Sequence, residues 1–524
     1  MKTFGRKTIY VNYTEEDILT KPIEKQNEIV MDIIESTRGV HELNCTETKY
    51  LKDYLRGIQD IYVEKQKLTR PEIDNKTVEN WAWSMVDFKK CYLLGKPIQY
   101  VQLNDSGEEE IALLNKFVRF ENKKAKDMFC YEDVLTCGRG FIFKNYQKPV
   151  EDDEAPFEIL NCQAENTEVV YSSKLGNKQI GSYVVSDMKY IATKTNPETG
   201  EQESYEEYYN EWTFYLRNRA VVVNDKAGVL KVVGSKPIIM TEHAITEYYT
   251  NKYRLSLIEI GKDLFNDINY LESMDKDDME SFVNAIMVFT NVEVTASEIE
   301  QIKALGAVCI NSTENKKASI ELLQQRLNAT DTQTYYTRLL TSLHQILGIP
   351  MSSDSGSVTS GDTGRAKLTG QGYTMAGIRA EGDETMFGMC DMEMLKGVLK
   401  ACKLAPATKI KNIKISDIEP KFFRDMSDNI LTKTQALLNL YSADIPRKFA
   451  NSIIGLFGDS NAVTKEQEKL FGEQTSQLGS SKEKEKTKNP FNPNDKADNK
   501  NPKNATQEQE NKINNINEQD EQEK

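Results

Sequence analysis

Apolar residues recur every three or four positions in several long stretches of the chain, which is the spacing of an amphipathic helix. Residues 254–287 form the clearest stretch, with apolar residues at Leu257, Ile260, Leu264, Ile268, Leu271 and Met274. A second helical stretch, residues 328–350, ends at Gly348-Ile349-Pro350 because proline cannot continue a helix. A third covers residues 365–403, where interior glycines indicate a kink or a close neighbour and methionines indicate an adaptable packing surface.

The first half of the chain changes from helical to strand-like patterns. Residues 14–70 predict amphipathic helices, and Ile73 to Phe88 predicts a capped helix that precedes a glycine stop and a strand near residue 100. Residues 131–144 predict a helix that passes through a glycine turn into a strand. The next β-branched and aromatic runs predict an antiparallel sheet with meander connections, with strands at 168–171, 181–185, 205–216, 220–223 and 237–240. A short strand at 412–415 and helices at 427–441 and 446–457 follow, so the predicted fold class is α+β.

Two segments beside the long helices have unusual composition. Residues 351–364 contain almost nothing apolar, and a polar loop of this length between two helices is often functional. Its candidate contact residues are Ser352, Ser353, Asp354, Ser355, Ser357, Thr359 and Ser360. Residues 288–327 predict a small α/β insert at the tip of the first two helices, a position suited to contact with another molecule.

The charge of the chain narrows the kinds of partner. The chain has 524 residues and a net charge of −14, which argues against a protein that wraps a DNA duplex with a basic face. An acidic wall would instead let nucleic acid slide past, because each phosphate neutralised by lysine or arginine slows release. Between Leu255 and Met287, eight acidic residues stand against two lysines. This acidic helix is either an ordinary solvated face or one that faces a polyanion or a neighbouring copy.

The sequence offers little catalytic or metal-binding chemistry. Its eight cysteines include no Cys-x-x-Cys pair and are expected to be reduced core residues. The three histidines, His41, His243 and His344, are not at metal-ligand spacing, and His344 is expected to be structural. No catalytic motif, signal peptide or membrane-spanning apolar run is present, so we expect no enzyme activity, no cofactor and no membrane contact.

Two other functions remain open from the residues alone. Gly356 and Gly361 have the glycine spacing of a phosphate-binding loop, which would make residues 356–364 part of a nucleotide-binding enzyme. Asp362 stands where that loop needs lysine and would repel a triphosphate. The second alternative is a cytosolic scaffold that binds proteins through residues 288–327.

Five places along the chain together resemble the portal proteins of tailed bacteriophages, in the branch found in long-tailed phages. The resemblance lies in their order over residues 70–460. The five places are residues 75–100 with Gly95-Lys96-Pro97-Ile98, residues 130–143, residues 237–269 with Leu264-Phe265-Asn266-Asp267, residues 349–361 with Ile349-Pro350-Met351, and residues 415–442.

The resemblance implies a ring of about twelve identical subunits around a DNA channel at one vertex of the virion capsid. It implies a wing at 1–253, stem helices at 254–287 and 328–350, a clip at 288–327, a tunnel loop at 351–364, a long wing helix at 365–403 and a closing region at 404–474. The implied partners are double-stranded DNA, the large terminase subunit, the major capsid and scaffolding proteins, and the head–tail adaptor. The partner-binding residues expected on the clip are Glu298, Gln301, Lys316 and Lys317. Residues 475–524 are expected to be disordered because they contain few apolar residues.

Overall fold

The chain is described here from a computed structural model. The structure describes residues 4–67, 71–103, 107–149, 154–195, 202–283, 286–290, 319–323, 329–351, 372–406, 408–423, 430–443, 445–447 and 450–451, and the single residues 463, 464, 466, 467 and 469. The chain divides into two units, Met1–Asp459 and Ser460–Lys524. The elements below belong to the first unit.

Helices dominate the first part of this unit, as the periodicity predicts. They are α1 (Glu15–Leu19), α2 (Ile23–Leu55), α3 (Ile61–Glu64), α4 (Trp81–Leu94), α5 (Glu108–Phe120) and α6 (Lys123–Cys137). The start of the helix predicted at 73–88 is wrong: that helix begins at Trp81, because the backbone N–H groups of Asn75, Thr77 and Glu79 bond to side chains of a distant helix. The side chain of Thr14 caps α1 and Asp17 bonds back to Thr14, which satisfies N–H groups that a helix start leaves free. Gly138, with a φ of 83°, ends α6 and leads directly into a strand, as predicted from its sequence.

A six-stranded sheet follows, in the order β1-β5-β6-β7-β8-β9. Its strands are β1 (Ile9–Val11), β5 (Thr167–Ser172), β6 (Gln179–Thr195), β7 (Gln202–Tyr215), β8 (Arg219–Asn224) and β9 (Lys231–Pro237). The strands β5 to β9 pair antiparallel in chain order, which confirms the predicted meander. β1 pairs with β5 in parallel orientation, a long-range contact that the sequence pattern did not indicate.

Two smaller sheets correct the predicted strand positions. The second sheet has the order β10-β3-β4 and is made of β10 (Ile245–Tyr248), β3 (Gly140–Tyr146) and β4 (Phe157–Cys162). The strand predicted at 237–240 is wrong: β9 ends at Pro237, and the N–H of Ile238 turns back to the carbonyl of Asn218.

The strand predicted at 412–415 is also wrong, and the strand there, β13, covers Ile418–Lys421 and pairs with β2 (Gln99–Gln102). One carboxylate oxygen of Glu110 accepts hydrogen bonds from the backbone N–H groups of Lys411, Asn412 and Ile413, at 3.0, 3.1 and 3.1 Å. Because these donors converge on one side chain, this segment curls around the carboxylate and does not form a ladder.

The second half of the unit contains the long helices and a hairpin. They are α7 (Leu257–Val283), β11 (Ile286–Thr290), β12 (Ser319–Leu323), α8 (Ala329–Leu347), α9 (Tyr373–Leu404) and α10 (Ile430–Ser442). The helix predicted at 254–287 is therefore shorter, since a strand begins at Ile286. The helix predicted at 365–403 is present from Tyr373, and residues 365–371 lie outside the described part of the chain.

Two main apolar cores and a small third cluster, which includes Phe141, Val169 and Ile245, hold the described elements together. The larger contains buried residues of α4, α6, α7, α8 and α9 with β3 and β4. The smaller lies between α2 and the six-stranded sheet. The larger core contains residues from one end of α7 and of α8, and it therefore fixes the position of this helix pair.

Candidate functional site

The helices α7 and α8 pack against each other, and the hairpin β11–β12 lies between them in the chain. Ile258 and Phe265 of α7 and Leu343 and Leu347 of α8 are all buried in the larger core. A Cβ atom built on Gly261 would come within 3.1 Å of Leu343 Cδ1, so glycine is what allows α8 to approach this closely. The predicted helix pair is therefore present, and apolar contacts hold it.

The hairpin agrees with the sequence in its strands. β11 and β12 are antiparallel, with Ile286 opposite Leu323 and Thr290 opposite Ser319, as a strand-containing insert in this part of the chain requires. The predicted contact residues of this insert, Glu298, Gln301, Lys316 and Lys317, lie outside the described residues.

A ladder of polar side chains on α7 binds residues 72–80, the segment between α3 and α4 that we call the strap. Asn269 Oδ1 accepts from the N–H of Glu79 at 2.8 Å, Ser273 Oγ from Thr77 at 2.9 Å, and Asp277 Oδ1 from Asn75 at 2.7 Å. Four helical residues rise about 6 Å and two extended residues about 6.6 Å. The two repeats match, so each turn of α7 binds every second N–H group of the strap.

The ladder is buried and partly charged. Asn269 and Ser273 have no exposed surface, and Asp277 is 3 % exposed. Lys65 Nζ lies 2.7 Å from Asp277 Oδ2 and 3.1 Å from Asp74 Oδ1. Burial raises the pKa of Asp277, but the hydrogen bonds from Lys65 and Asn75 outweigh it and hold the pKa below its usual value. Asp277 therefore stays charged and ties the strap to α7.

The remaining acidic residues of α7 behave differently. Asp263 and Asp267 are exposed, and Glu272, Asp275 and Asp278 are half-buried. Partial burial raises the pKa of Asp267 and the neighbouring Asp263 raises it further, while burial, Glu79 and Asp275 raise the pKa of Glu272. Repulsion from neighbouring carboxylates thus adds to the effect of burial at Asp267 and Glu272. We call Asp263, Asp267, Glu272, Asp275 and Asp278 the acidic face.

The acidic face is smaller than the sequence count suggested. Glu259 is paired with Arg6, Oε1 to Nη2 at 2.6 Å, and its side chain is 1 % exposed. Asp277 belongs to the ladder, and Glu280 accepts a hydrogen bond from Asn75 Nδ2 of the strap at 2.7 Å. Lys262 is also buried and lies 2.9 Å from Asp60 Oδ2. One of the two lysines of α7 is thus used inside the protein and does not offset the acidic face.

The point where α8 ends is firmly held. Gly348 has a φ of 66°, which favours glycine, and a Cβ there would lie 2.2 Å from Arg379 Cδ. Arg379 of α9 donates to the carbonyls of Ile346 and Gln345 at 2.5 and 3.3 Å. Such bonds satisfy carbonyls that a helix end leaves without partners. A long side chain from α9 thus closes the last turn of α8.

His344 is structural, as predicted, because its ring holds the same helix end. Its Nδ1–H donates to the carbonyls of Pro350 and Ile349 at 3.1 and 3.3 Å, and the ring packs edge-on against Trp81. A Cβ atom built on Gly372 would lie 3.8 Å from Pro350 Cα, so the chain leaves and re-enters the described structure at one place. The predicted loop residues Ser352, Ser353, Asp354, Ser355, Ser357, Thr359 and Ser360 lie outside the described residues.

A buried charge network, which the sequence analysis missed, joins four elements on the other side of the core. Lys123 Nζ of α6 lies 2.6 Å from Asp127 Oδ2 and 2.8 Å from Asp391 Oδ1 of α9. The hydroxyl groups of Tyr100 and Tyr248 donate to Asp391 at 2.7 and 3.1 Å. Burial opposes the charge of Lys123, but the two carboxylates outweigh burial and raise its pKa. The one available sequence signal was the Lys123–Asp127 spacing of four residues on one helix.

The sequence raises three kinds of site for comparison with the described residues, namely metal, nucleotide and membrane sites. No group of three or more histidine, cysteine, aspartate or glutamate residues within them could hold a metal ion. The alternative phosphate-binding loop at 356–364 lies outside them. In the part of the chain that the structure describes, no helix is both long and apolar enough to cross a membrane.

The fold and helix pair define a mixed α/β subunit in which a hairpin is inserted between two packed helices. The model of the family described as "Phage portal protein, SPP1 Gp6-like" matches residues 37–479, so the chain belongs to this portal family and the predicted resemblance is confirmed. The family is structural and supplies a component of the virion capsid.

Solved structures and curated proteins add less. One chain from the neck of an empty gene transfer agent particle, computed with C6 symmetry, is similar with a TM-score of 0.40 and 12% identity over 72% of this chain and 90% of that chain. No curated protein matches this chain.

Proposed function

We propose that this chain closes into a ring of about twelve copies around a channel for double-stranded DNA at one capsid vertex. The observation that carries the proposal is the family match over residues 37–479. Rings of identical subunits form when one surface of a subunit binds a different surface of the next. The ring acts as a passive conduit through which the terminase motor drives DNA into the capsid and through which DNA later leaves.

The helix pair is the stem in this proposal, with the first stem segment at 254–287 and the second at 328–350. The wing is then residues 1–253 with the long helix 365–403, followed by a closing region at 404–474. The strap supports this division of labour, because Asn269, Ser273 and Asp277 tie α7 to the segment that leads into α4. These hydrogen bonds hold the first stem helix against the wing, so that the helix keeps its position while DNA passes.

The insert 288–327 is proposed as the clip, which binds the large terminase subunit first and the head–tail adaptor afterwards. Its position supports this role, because the hairpin β11–β12 is inserted in the chain between α7 and α8, and these two helices pack against each other. Glu298, Gln301, Lys316 and Lys317 are its proposed contact residues. The major capsid and scaffolding proteins contact the wing.

The loop 351–364 is proposed to line the channel. Its serines and threonine offer short polar contacts, and its aspartates repel phosphate, so DNA passes without being gripped. The support is the closed end at Gly348 and the nearby return at Gly372, which let a long loop leave the subunit and come back at one place.

Electron microscopy of the purified full chain tests the proposal. We expect closed rings with a central hole wide enough for a duplex. A chain that stays monomeric under all assembly conditions would contradict it. Arginine at Ser353 and Ser355 is expected to slow packaging without preventing ring closure, and alanine at both positions is the matched control.

A further inference from the structure

A long two-stranded arm extends from the six-stranded sheet. β6 and β7 pair from Ser182 opposite Tyr215 to Thr195 opposite Gln202. The neighbouring strands cover only the base of this hairpin, because β5 pairs with β6 up to Val184 and β8 pairs with β7 from Glu211. Residues 186–195 and 202–210, which we call the arm, therefore extend beyond the sheet by about 30 Å.

The arm has little support within its own subunit. At its base, the backbone N–H of Asn210 donates to Asp225 Oδ1 at 2.7 Å, and the N–H of Asp225 donates to the Asn210 carbonyl at 3.2 Å. Further out, Lys226 Nζ lies 3.7 Å above the ring of Tyr190. Ile191 is 74 % exposed and Tyr208 is 69 % exposed. A two-stranded ribbon is marginally stable alone, and its outer edges carry N–H and C=O groups without strand partners. Such an arm is expected to be covered in the working assembly.

The charge of the arm indicates what covers it. Its β7 half, residues 202–210, carries Glu203, Glu206 and Glu207 and no lysine or arginine. Glu206 contacts Lys189 across the hairpin at 3.2 Å, but both side chains are more than half exposed, so the pair is weak and still open to a second cation. The open edge of β7 therefore fits a strand with positive charge.

The same chain provides such a strand at the far edge of the sheet. β9 is the last strand in the sheet order, and its outer side has no partner among the described strands. It carries Lys231 and Lys236 and no acidic residue, and Val233 beside them is 55 % exposed. Lysines and a bulge near Val233 discourage two β9 edges from pairing with each other. A strand that carries acidic side chains is not repelled by these lysines, so it can pair with the β9 edge.

We propose that the β7 strand of the arm in one copy pairs with the β9 edge of the neighbouring copy, so that the sheets of adjacent subunits become continuous. The two surfaces differ, which is the kind of contact that closes a ring. Within one chain, β8 lies between β7 and β9. The β7 strand of the arm therefore could not pair with the β9 edge of its own subunit without detaching from β6. This inference rests on the proposed ring and names one contact within it.

A photo-crosslinking amino acid at Tyr208 tests the contact in the full chain. Equal amounts of unlabelled and ¹⁵N-labelled protein are mixed, assembled and irradiated, and the joined peptides are identified by mass spectrometry. We expect cross-links between labelled and unlabelled copies that involve residues 229–237. The same reagent at Tyr62, which is 47 % exposed on α3, is the control and should not join that peptide.

Charge exchange gives an independent test. The pair Glu206→Lys with Glu207→Lys and the pair Lys231→Glu with Lys236→Glu are each expected to weaken assembly about tenfold in concentration, and all four together should restore it. Lys25→Glu with Glu28→Lys, an exposed pair on α2, should leave assembly unchanged. Mass photometry measures the assembled fraction, and circular dichroism checks folding.

The outcomes separate this inference from the proposed function. Normal rings without the cross-link and without rescue by the fourfold variant overturn the arm contact alone. A chain that never assembles overturns both proposals. Cross-links from Tyr208 to a different surface of the neighbour also overturn the contact with β9.

Discussion

Two groups of charged residues in this protein face opposite conditions. In the network of Lys123, Asp127 and Asp391, every charge is buried and has a partner within 3 Å. Along the acidic face of α7, burial raises the pKa of Asp267 and Glu272, and neighbouring carboxylates raise it further. The first group joins α6, β2, β10 and α9. In the second group, the raised pKa values mean that the charges of Asp267 and Glu272 oppose folding at neutral pH.

The largest expected effect comes from removing the cation of the buried network. Lys123→Met leaves Asp127 and Asp391 buried without their ammonium group, and breaking a buried pair in this way costs about 3–5 kcal/mol. The free energy of unfolding of the full chain in urea measures it. Lys124→Met, at the exposed neighbouring position of the same helix, is the control and should change stability by less than about 0.5 kcal/mol.

Lys144 sharpens the comparison because it is a buried cation whose hydrogen bonds go to the Thr246 hydroxyl at 2.6 Å and the Glu393 carbonyl at 3.5 Å. Burial lowers its pKa to about 8, so above that pH the folded chain binds fewer protons than the unfolded chain. Stability relative to Lys144→Met should therefore rise between about pH 8 and 10.5, by up to about 3 kcal/mol.

Urea unfolding of both proteins at several pH values measures this difference. Lys126→Met on α6 removes a less buried lysine, which is paired with Glu121, and serves as the control without that rise. A pH-independent difference between wild type and Lys144→Met would show that Lys144 is not depressed in pKa.

The ladder is intermediate between the buried charge network and the acidic face, since its groups are buried but mostly neutral. Asn269→Ala leaves the N–H of Glu79 and the side chain of Gln59 without their partner, and we expect a loss of about 1–3 kcal/mol. Lys276→Ala, on the exposed side of α7, is the matched control. Equal stability of both variants in urea would mean that the strap does not depend on the ladder.

The smallest change in the free energy of unfolding is expected on the acidic face, where a substitution should stabilise the protein instead of destabilising it. The raised pKa of Asp267 means that its charge destabilises the fold once the pH exceeds the unfolded pKa. Asp267→Asn should therefore increase stability at neutral pH by a few tenths of a kcal/mol, less in high salt and not at all in acid. Asp277→Asn, ten residues further along α7, should decrease stability instead. Matching signs would remove the distinction between the face and the ladder.

The sequence predicted the elements whose signal is periodic and local. The apolar spacing from Leu257 to Met274 located α7, Gly348-Ile349-Pro350 located the end of α8, and the β-branched runs located most of the meander. The strand predicted at 412–415 failed because Glu110, some three hundred residues away, collects its N–H groups. Local patterns cannot show a partner that distant.

The candidate site was predictable in outline and not in its supporting contacts. Asp277 looked like one more acid on an amphipathic helix, and Asn269 and Ser273 looked like ordinary polar positions. Their role depends on the strap, which carries no periodic signal of its own. The buried network was missed for the same reason, since Asp391 lies on a helix far in sequence from Lys123 and Tyr100.

The ladder also determines how α7 can move. Because its acceptors recur every four residues, about 6 Å apart along the axis, a small axial displacement would lengthen all three bonds together. Ile258, Phe265 and Ile268 of the same helix are buried in the larger core, so the position of α7 along its axis is set on the apolar side as well as on the polar side. The strap and α7 are therefore held in one register, and the chain that leads into α4 keeps a fixed position along the helix.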